Sequence, residues 1–116
     1  MAQSTYTITG SLTLVDSKIE GSQTNCYGTG GYSDIEGGME VTIRNDIGKI
    51  IAIGRTDAGY RQQGEYSSVT CIFPFKVTDI PRSPFYSIEI GRRGKVNFSY
   101  TELQKQKWKV NFSLSR

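Results

Sequence analysis

Residues 69–77 read VTCIFPFKV and contain the clearest alternation in the chain. Every second position is apolar: Val69, Cys71, Phe73, Phe75 and Val77. Because successive side chains of a strand point to opposite faces, this pattern predicts a strand with one buried face. Pro74 occupies the other face, and since proline cannot donate a hydrogen bond to a sheet, we expect it at an edge or at a bulge.

Six further segments of the 116-residue chain are strand candidates, five by the same two-residue period and one, residues 50–53, as a continuous apolar run. They are residues 6–15, 39–44, 50–53, 85–90, 95–100 and 108–114. Thirteen glycines and only three prolines are typical of short strands joined by tight turns. A chain of this length builds one two-layer core. The sequence therefore predicts a single all-β domain over residues 1–116, an antiparallel seven-stranded β-sandwich.

One helical signal interrupts the strand pattern. Ser99 is followed three residues later by Glu102, the spacing of a capping box, in which each side chain accepts a hydrogen bond from the other residue's backbone. We therefore expect one short helical turn near residues 100–105.

The two cysteines, Cys26 and Cys71, carry the main chemical information in the sequence. The chain has no histidine and no CxxC pair, which excludes the common zinc-ligand sets and Cys-His nucleophiles. A disulfide and a pair of buried thiols both remain. Cys71 lies on the inward face of its strand, whereas Cys26 lies in the polar, glycine-rich residues 16–38, which have little apolar content to anchor them. We therefore favour the disulfide.

A disulfide favours an extracytoplasmic location, either secreted or at the cell surface. The sequence has no run of 18 or more apolar residues, so we expect no membrane span. No signal peptide precedes the first strand pattern, and we expect that a signal sequence has been removed from the mature protein. We expect a monomer or a weak homo-oligomer.

Residues 41–54 (VTIRNDIGKIIAIG), 73–81 (FPFKVTDIP) and 85–90 (FYSIEI) resemble the prealbumin-like sandwich of transthyretin-like and carboxypeptidase-regulatory-like domains. This resemblance implies a β-sandwich. Residues 26–34 and the closing segment that begins YTEL and ends at Trp108 are similar to small secreted bacterial proteins of unknown function. That second resemblance implies export and a pairing of Cys26 with Cys71.

Four tyrosines lie in the two long polar segments, residues 16–38 and 56–68. They are Tyr27, Tyr32, Tyr60 and Tyr66. Tyrosine is rigid and amphipathic and is suited to recognition, so these side chains are the candidate binding residues. If the two segments meet at one end of the sandwich, they form a binding edge for a protein or a glycan.

Two charged groups offer further candidate sites. The net charge of +3 is uneven: residues 1–58 carry four Lys/Arg and seven Asp/Glu, whereas residues 59–116 carry ten and four. In the basic half, Arg92, Arg93 and Lys95 form a candidate basic patch at a hairpin tip, although we favour solvated surface charges as the explanation. We do not expect a nucleic-acid partner. In the acidic half, Asp34 and Glu36, with Asp16 and Glu20 nearby, offer oxygen ligands for calcium, but without the DxDxDG spacing.

These features lead to three hypotheses of different classes. The first is a non-enzymatic, exported binding or accessory domain that presents aromatic, glycine-rich loops to a protein or glycan. The second is a structural module of a larger surface protein, with a calcium-binding sandwich as a further alternative. The third is an enzyme, which we do not expect. Without histidine, acid–base chemistry falls to carboxylates or lysines, and no pair of acids is predicted to point inward. We expect no cofactor.

Overall fold

The computed structural model describes residues 4–63 and 69–115. Along this part of the chain, ten strands, one 3-10 turn and one α-helix follow one another. They are β1 Thr5–Asp16, β2 Glu20–Ser22, β3 Asn25–Tyr27, the 3-10 turn Gly30–Tyr32, β4 Glu40–Arg44, β5 Ile50–Arg55, β6 Tyr60–Gln63, β7 Val69–Pro81, β8 Phe85–Ile90, β9 Lys95–Ser99, α1 Tyr100–Lys105 and β10 Lys109–Ser115. The all-β class predicted from the sequence is confirmed.

Two four-stranded sheets form the two layers. The first sheet has the strand order β10-β1-β7-β6 and the second has the order β5-β4-β8-β9, while β2 and β3 pair as a separate hairpin. Both sheets contribute alternate side chains to one buried cluster. Its fully buried members include Ile8, Leu14, Val41, Ile43, Phe73 and Ile88. The alternation of apolar residues therefore identified the inward faces of β1, β4, β7 and β8 correctly, whereas Val96 in β9 and Ile53 in β5 are exposed.

The prediction of seven strands is wrong, because three further strands lie inside the segments expected to be loops. Strands β2 and β3 occupy part of residues 16–38, and β6 occupies part of residues 56–68. All three are short, and every residue of β2 is exposed. Strands of three or four residues are too short to show a two-residue period, and β2 in addition has no buried face.

The expectation of a fully antiparallel sandwich is also wrong at one edge. Strand β10 pairs with β1 in parallel, with Gly10 opposite Val110. The chain leaves β9 in the second sheet, passes through α1 and enters the first sheet beside β1 in the same direction. Period-2 alternation predicts which face of a strand is buried, but not its partner or its direction.

Pro74 occupies an edge-like position within an otherwise central strand. Strand β6 pairs with β7 only as far as Ile72, so Pro74 has a paired strand on one side alone, where Ser11 lies opposite. On its other side, its carbonyl oxygen accepts a hydrogen bond from the backbone N–H of Asp57 at 2.7 Å. The missing N–H of proline therefore leaves no gap in the sheet.

The predicted capping box is present at the start of α1. The Ser99 Oγ accepts a hydrogen bond from the Glu102 N–H at 3.0 Å, and a Glu102 carboxylate oxygen accepts one from the Ser99 N–H at 2.9 Å. The bond from the Ser99 N–H favours the charged carboxylate and holds the pKa of Glu102 below its usual value. After the helix, Lys107 and Trp108 adopt left-handed backbone angles, with φ of 57° and 60°. Trp108 therefore precedes β10 and does not open it as predicted.

Candidate functional site

A disulfide anchors the most irregular part of the chain to the first sheet. The Sγ atoms of Cys26 and Cys71 lie 2.01 Å apart, and both residues are fully buried. The Cys26 N–H also donates to the Gly59 carbonyl at 3.0 Å, which places β3 beside the start of β6. Gly59 packs directly on the disulfide, since a Cβ there would lie 2.5 Å from the Cys71 Sγ. The β2–β3 hairpin is therefore fixed against β7.

Two of the candidate tyrosines stand on strands next to this disulfide. Cys26 on β3 and Gly59, the residue before β6, form an isolated β-bridge. Tyr27 follows Cys26 in the chain, and Tyr60 follows Gly59 as the first residue of β6. Since the bridged residues face inward, their neighbours face outward. Tyr27 is 37% exposed and Tyr60 is 40% exposed. Both side chains were predicted to lie on loops, but they are carried by strands. Tyr66 lies outside the described residues.

Tyr60 borders a shallow depression on the outer face of the first sheet, with a volume of about 360 Å³. We call it the sheet-face depression. Its lining residues are Thr9, Gly10, Ser11, Tyr60, Ile72, Pro74, Phe75, Lys109 and Asn111. The register explains this grouping, because Ser11 lies opposite both Pro74 and Asn111, and Tyr60 lies opposite Ile72. Four neighbouring strands therefore contribute to one surface.

The chemistry of the sheet-face depression is mixed. Tyr60, Ile72 and Pro74 supply an apolar side, and Ser11, Asn111 and Lys109 supply polar groups. The Ser11 hydroxyl donates to the Asn111 Oδ1 at 2.9 Å. Because the Asn111 amide oxygen accepts this bond, the orientation of the amide is fixed, and its NH₂ group remains as a hydrogen-bond donor. Ligand-binding sites are typically lined by apolar and aromatic side chains, with a few polar groups that orient the ligand. The sheet-face depression has this composition.

The third tyrosine, Tyr32, is part of a surface cluster with Arg93 and Asp34. The Arg93 guanidinium lies 4.9 Å from the centre of the Tyr32 ring. The guanidinium also donates two hydrogen bonds to the Asp34 carboxylate, of which the one from Nε is 3.0 Å long. A third hydrogen bond, of 2.7 Å, goes to the Gly31 carbonyl. These contacts join the β8–β9 turn to the segment that follows β3. They give Tyr32 and Arg93 a structural role.

The structure does not gather the predicted calcium ligands into one group. Asp34 and Glu36 line one depression of about 220 Å³, but Arg92 lines it as well, and Asp34 is paired with Arg93. Within the described ranges, no set of three or more Asp, Glu, His or Cys side chains could hold a metal ion. The arginines place positive charge where a cation would bind.

The predicted basic patch is divided by these contacts. All three side chains are exposed, but Arg93 pairs with Asp34, whereas Arg92 and Lys95 form no ion pair within the described ranges. Contact with solvent is enough to account for two exposed cations at a hairpin tip, so their position does not require an anionic ligand. Glu89 lies opposite Lys95 across β8 and β9, which further reduces the local positive charge.

At the far end of the first sheet, the structure brings together four aromatic rings that the sequence did not group. Tyr6 stacks on Trp108 with ring centres 4.4 Å apart, and Tyr86 and Tyr100 meet the indole edge-on at 5.9 and 5.5 Å. The Tyr6 and Tyr100 hydroxyls share a hydrogen bond of 2.9 Å, which raises the pKa of Tyr6. No signal in the sequence could have found this cluster, because the left-handed backbone at Trp108 breaks the strand period.

The buried Tyr86 hydroxyl closes this end of the sandwich. It accepts a hydrogen bond from the Ser83 N–H at 2.8 Å and donates one to the Pro81 carbonyl at 2.9 Å. Burial raises the pKa of Tyr86. The substitution Tyr86→Phe leaves the Ser83 N–H without its acceptor. We expect it to lower the free energy of unfolding by about 1–3 kcal/mol.

Urea unfolding measures this loss, and Tyr27→Phe is the matched control because the Tyr27 ring is exposed on a short strand. A Tyr86→Phe protein as stable as the wild type would show that the Tyr86 hydroxyl does not hold this segment.

Comparison with known proteins gives no match to this chain, whether by family model, by curated protein sequence or by solved structure. The resemblance to the prealbumin-like sandwich therefore stays a prediction. In the described ranges, the structure contains no helix with the length and apolar content needed to cross a bilayer.

Proposed function

We propose that this chain is an extracytoplasmic, non-enzymatic binding domain that holds a glycan chain on the sheet-face depression. The observation that carries the proposal is the position of Tyr60, whose exposed ring borders the same depression as the Asn111 amide and the Lys109 ammonium group, which are hydrogen-bond donors. A sugar ring has apolar C–H faces and a rim of hydroxyls. An aromatic ring beside fixed donors complements both parts.

The disulfide supports this proposal in two ways. Disulfides persist in oxidising compartments, where extracellular glycans are found. The bond also fixes β3 and, through Gly59, the start of β6, so Tyr60 is held before the ligand arrives. A site that is already ordered loses less conformational entropy on binding.

The shape of the surface favours a glycan over a folded protein. The depression is shallow and open along the strands, and its polar side chains come from rows of Thr, Ser and Asn on neighbouring strands. Protein interfaces concentrate several large anchors at their centre. Here Tyr60 is the one aromatic side chain among the lining residues that is exposed.

Binding to a panel of insoluble polysaccharides, including cellulose, chitin and xylan, tests the proposal. We expect the wild-type protein to bind at least one of them and Tyr60→Ala to weaken that binding about tenfold or more, since it removes the aromatic anchor. Tyr27→Ala is the matched control, because Tyr27 has a similar exposed fraction and lies outside the depression. Failure to bind any member, or equal loss in both variants, would refute the proposal and make a protein partner the next candidate.

A further inference from the structure

At the aromatic end of the sandwich, Arg82 is held on a rigid segment. Pro81 and Pro84 flank Arg82 and Ser83, which restricts the backbone on both sides. The Tyr86 hydroxyl binds the Pro81 carbonyl and the Ser83 N–H, and the Tyr100 N–H donates to the Pro84 carbonyl at 2.9 Å. The backbone that carries Arg82 is therefore fixed before any ligand binds.

The guanidinium of Arg82 is oriented by the ring of Tyr100, whose centre lies 4.4 Å away. Tyr100 is in turn held by the edge-on contact with Trp108 and by the hydrogen bond to Tyr6. Stacking on an aromatic ring restrains the plane of a guanidinium while leaving its N–H groups available. The four-ring cluster thus acts as a support for one exposed cation.

This cation has no carboxylate partner in the described part of the chain, where the two ion pairs join Arg55 with Glu40 and Arg93 with Asp34. The nearby Asp46 carboxylate contacts the Ser83 hydroxyl at 3.4 Å. Arg82 itself is exposed to solvent. Its charge is therefore available to an external anion.

Beside Arg82 lies an open depression of about 450 Å³, the Arg82 site, lined by Arg82, Ser83, Pro84, Phe85, Ser99, Tyr100 and Thr101. Phe85 is 56% exposed, a large aromatic surface that the core does not use. The site thus combines a fixed guanidinium, an exposed aromatic ring and the hydroxyl group of Thr101, whereas the Ser99 hydroxyl caps α1. It shares no lining residue with the sheet-face depression.

We propose that the Arg82 site binds a carboxylated sugar, such as a uronic acid residue of an acidic glycan. The planar guanidinium pairs with a carboxylate through two parallel hydrogen bonds, and Phe85 packs on the C–H face of the sugar ring. The Thr101 hydroxyl at the rim can bond a hydroxyl of the sugar, a group that an acidic peptide side chain does not carry. This second site is independent of the glycan site proposed above.

Isothermal titration with a galacturonic acid hexamer and its methyl ester tests this inference, because the two probes differ only in the carboxylate. We expect the wild-type protein to bind the acid about tenfold or more tightly than the ester. Arg82→Gln should abolish this preference, and Phe85→Ala should weaken binding of both probes. Arg92→Gln removes the same charge from an exposed turn and should change the affinity less than about twofold.

The inference is overturned if the acid does not bind, if acid and ester bind with equal affinity, or if the preference survives Arg82→Gln. Dextran sulfate serves as an unrelated polyanion. If Arg82→Gln and Arg92→Gln weaken its binding and that of the acid to the same extent, the protein attracts any polyanion through its net positive charge, and the Arg82 site is refuted. Tyr60→Ala should leave the preference for the acid intact. A loss of that preference in Tyr60→Ala would place the carboxylate at the sheet-face depression and contradict the assignment to Arg82.

Discussion

Replacing Cys26 and Cys71 together by alanine is expected to lower the free energy of unfolding by about 4 kcal/mol on the chain-entropy estimate. The bond joins residues 45 positions apart, so it removes many conformations from the unfolded chain. It also holds β3, in which Cys26 is the one buried residue. For a domain with a stability of about 5–15 kcal/mol, a loss of this size leaves a marginal fold.

Urea unfolding with and without reducing agent measures this contribution. The wild-type curve should move to lower urea concentration on reduction, whereas the double variant should be insensitive to the reductant. Hydrogen exchange should show the largest loss of protection in β2 and β3, because the Cys26 N–H and the backbone around it depend on this anchor. Coincident wild-type curves after complete reduction would show that the disulfide contributes nothing to stability.

Gly10→Ala is expected to lower stability by about 3 kcal/mol or to detach β10 from the first sheet. A Cβ at Gly10 would overlap the backbone carbonyl oxygen of Val110 and lie 3.0 Å from the Phe75 ring. Backbone in a parallel pair cannot move away without breaking its hydrogen bonds, and the Phe75 side chain is buried. The close approach of β1 and β10 therefore requires glycine at this position.

Thermal unfolding tests this requirement, and a loss of that size corresponds to a fall in Tm of roughly 10 °C. Gly48→Asn is the control. No atom lies within 4 Å of a Cβ built there, and asparagine tolerates the left-handed φ of 83°. We expect that variant to stay within about 1 kcal/mol of the wild type. A Gly10→Ala protein as stable as Gly48→Asn would mean that β10 does not pack against β1 at this distance.

The sequence was sufficient to predict the strands whose inward faces are apolar. In β7, alternation identified Cys71, Phe73, Phe75 and Val77 as buried, and the capping box located α1 through Ser99 and Glu102. Both signals are local, since each depends on the spacing of residues within one element. This is why the fold class and the helix could be predicted without knowledge of the pairing.

Features that depend on strand partners could not be predicted in this way. The parallel entry of β10, the pairing of β6 with β7 and the bridge between Cys26 and Gly59 all join distant parts of the chain. The periodicity of the side chains within a strand does not indicate which strand it pairs with or in which direction. Because the sheet-face depression is built from four strands, its composition follows from the register and not from any one segment.

Charged residues were the least predictable part of the candidate site. Arg93 and Asp34 are 59 positions apart and were assigned to two different sites, yet they form one ion pair. Arg82 was not among the residues of the predicted basic patch, although the structure places its guanidinium over the Tyr100 ring. Long flexible side chains find partners only after the backbone is in place, so pairing is a property of the tertiary structure.

The measurement that tests the central claim most directly is the mapping of backbone amide shifts by NMR while chitohexaose, cellohexaose and xylohexaose are added in turn. The account predicts that at least one of these oligosaccharides shifts the amides of Ser11, Tyr60, Ile72 and Asn111 together, on four different strands of one face. Amides on the outer face of the second sheet, such as those of Thr42 and Ser87, should not move. Shifts confined to the second sheet, or no shifts at millimolar concentrations of all three, would contradict a glycan site on the sheet-face depression.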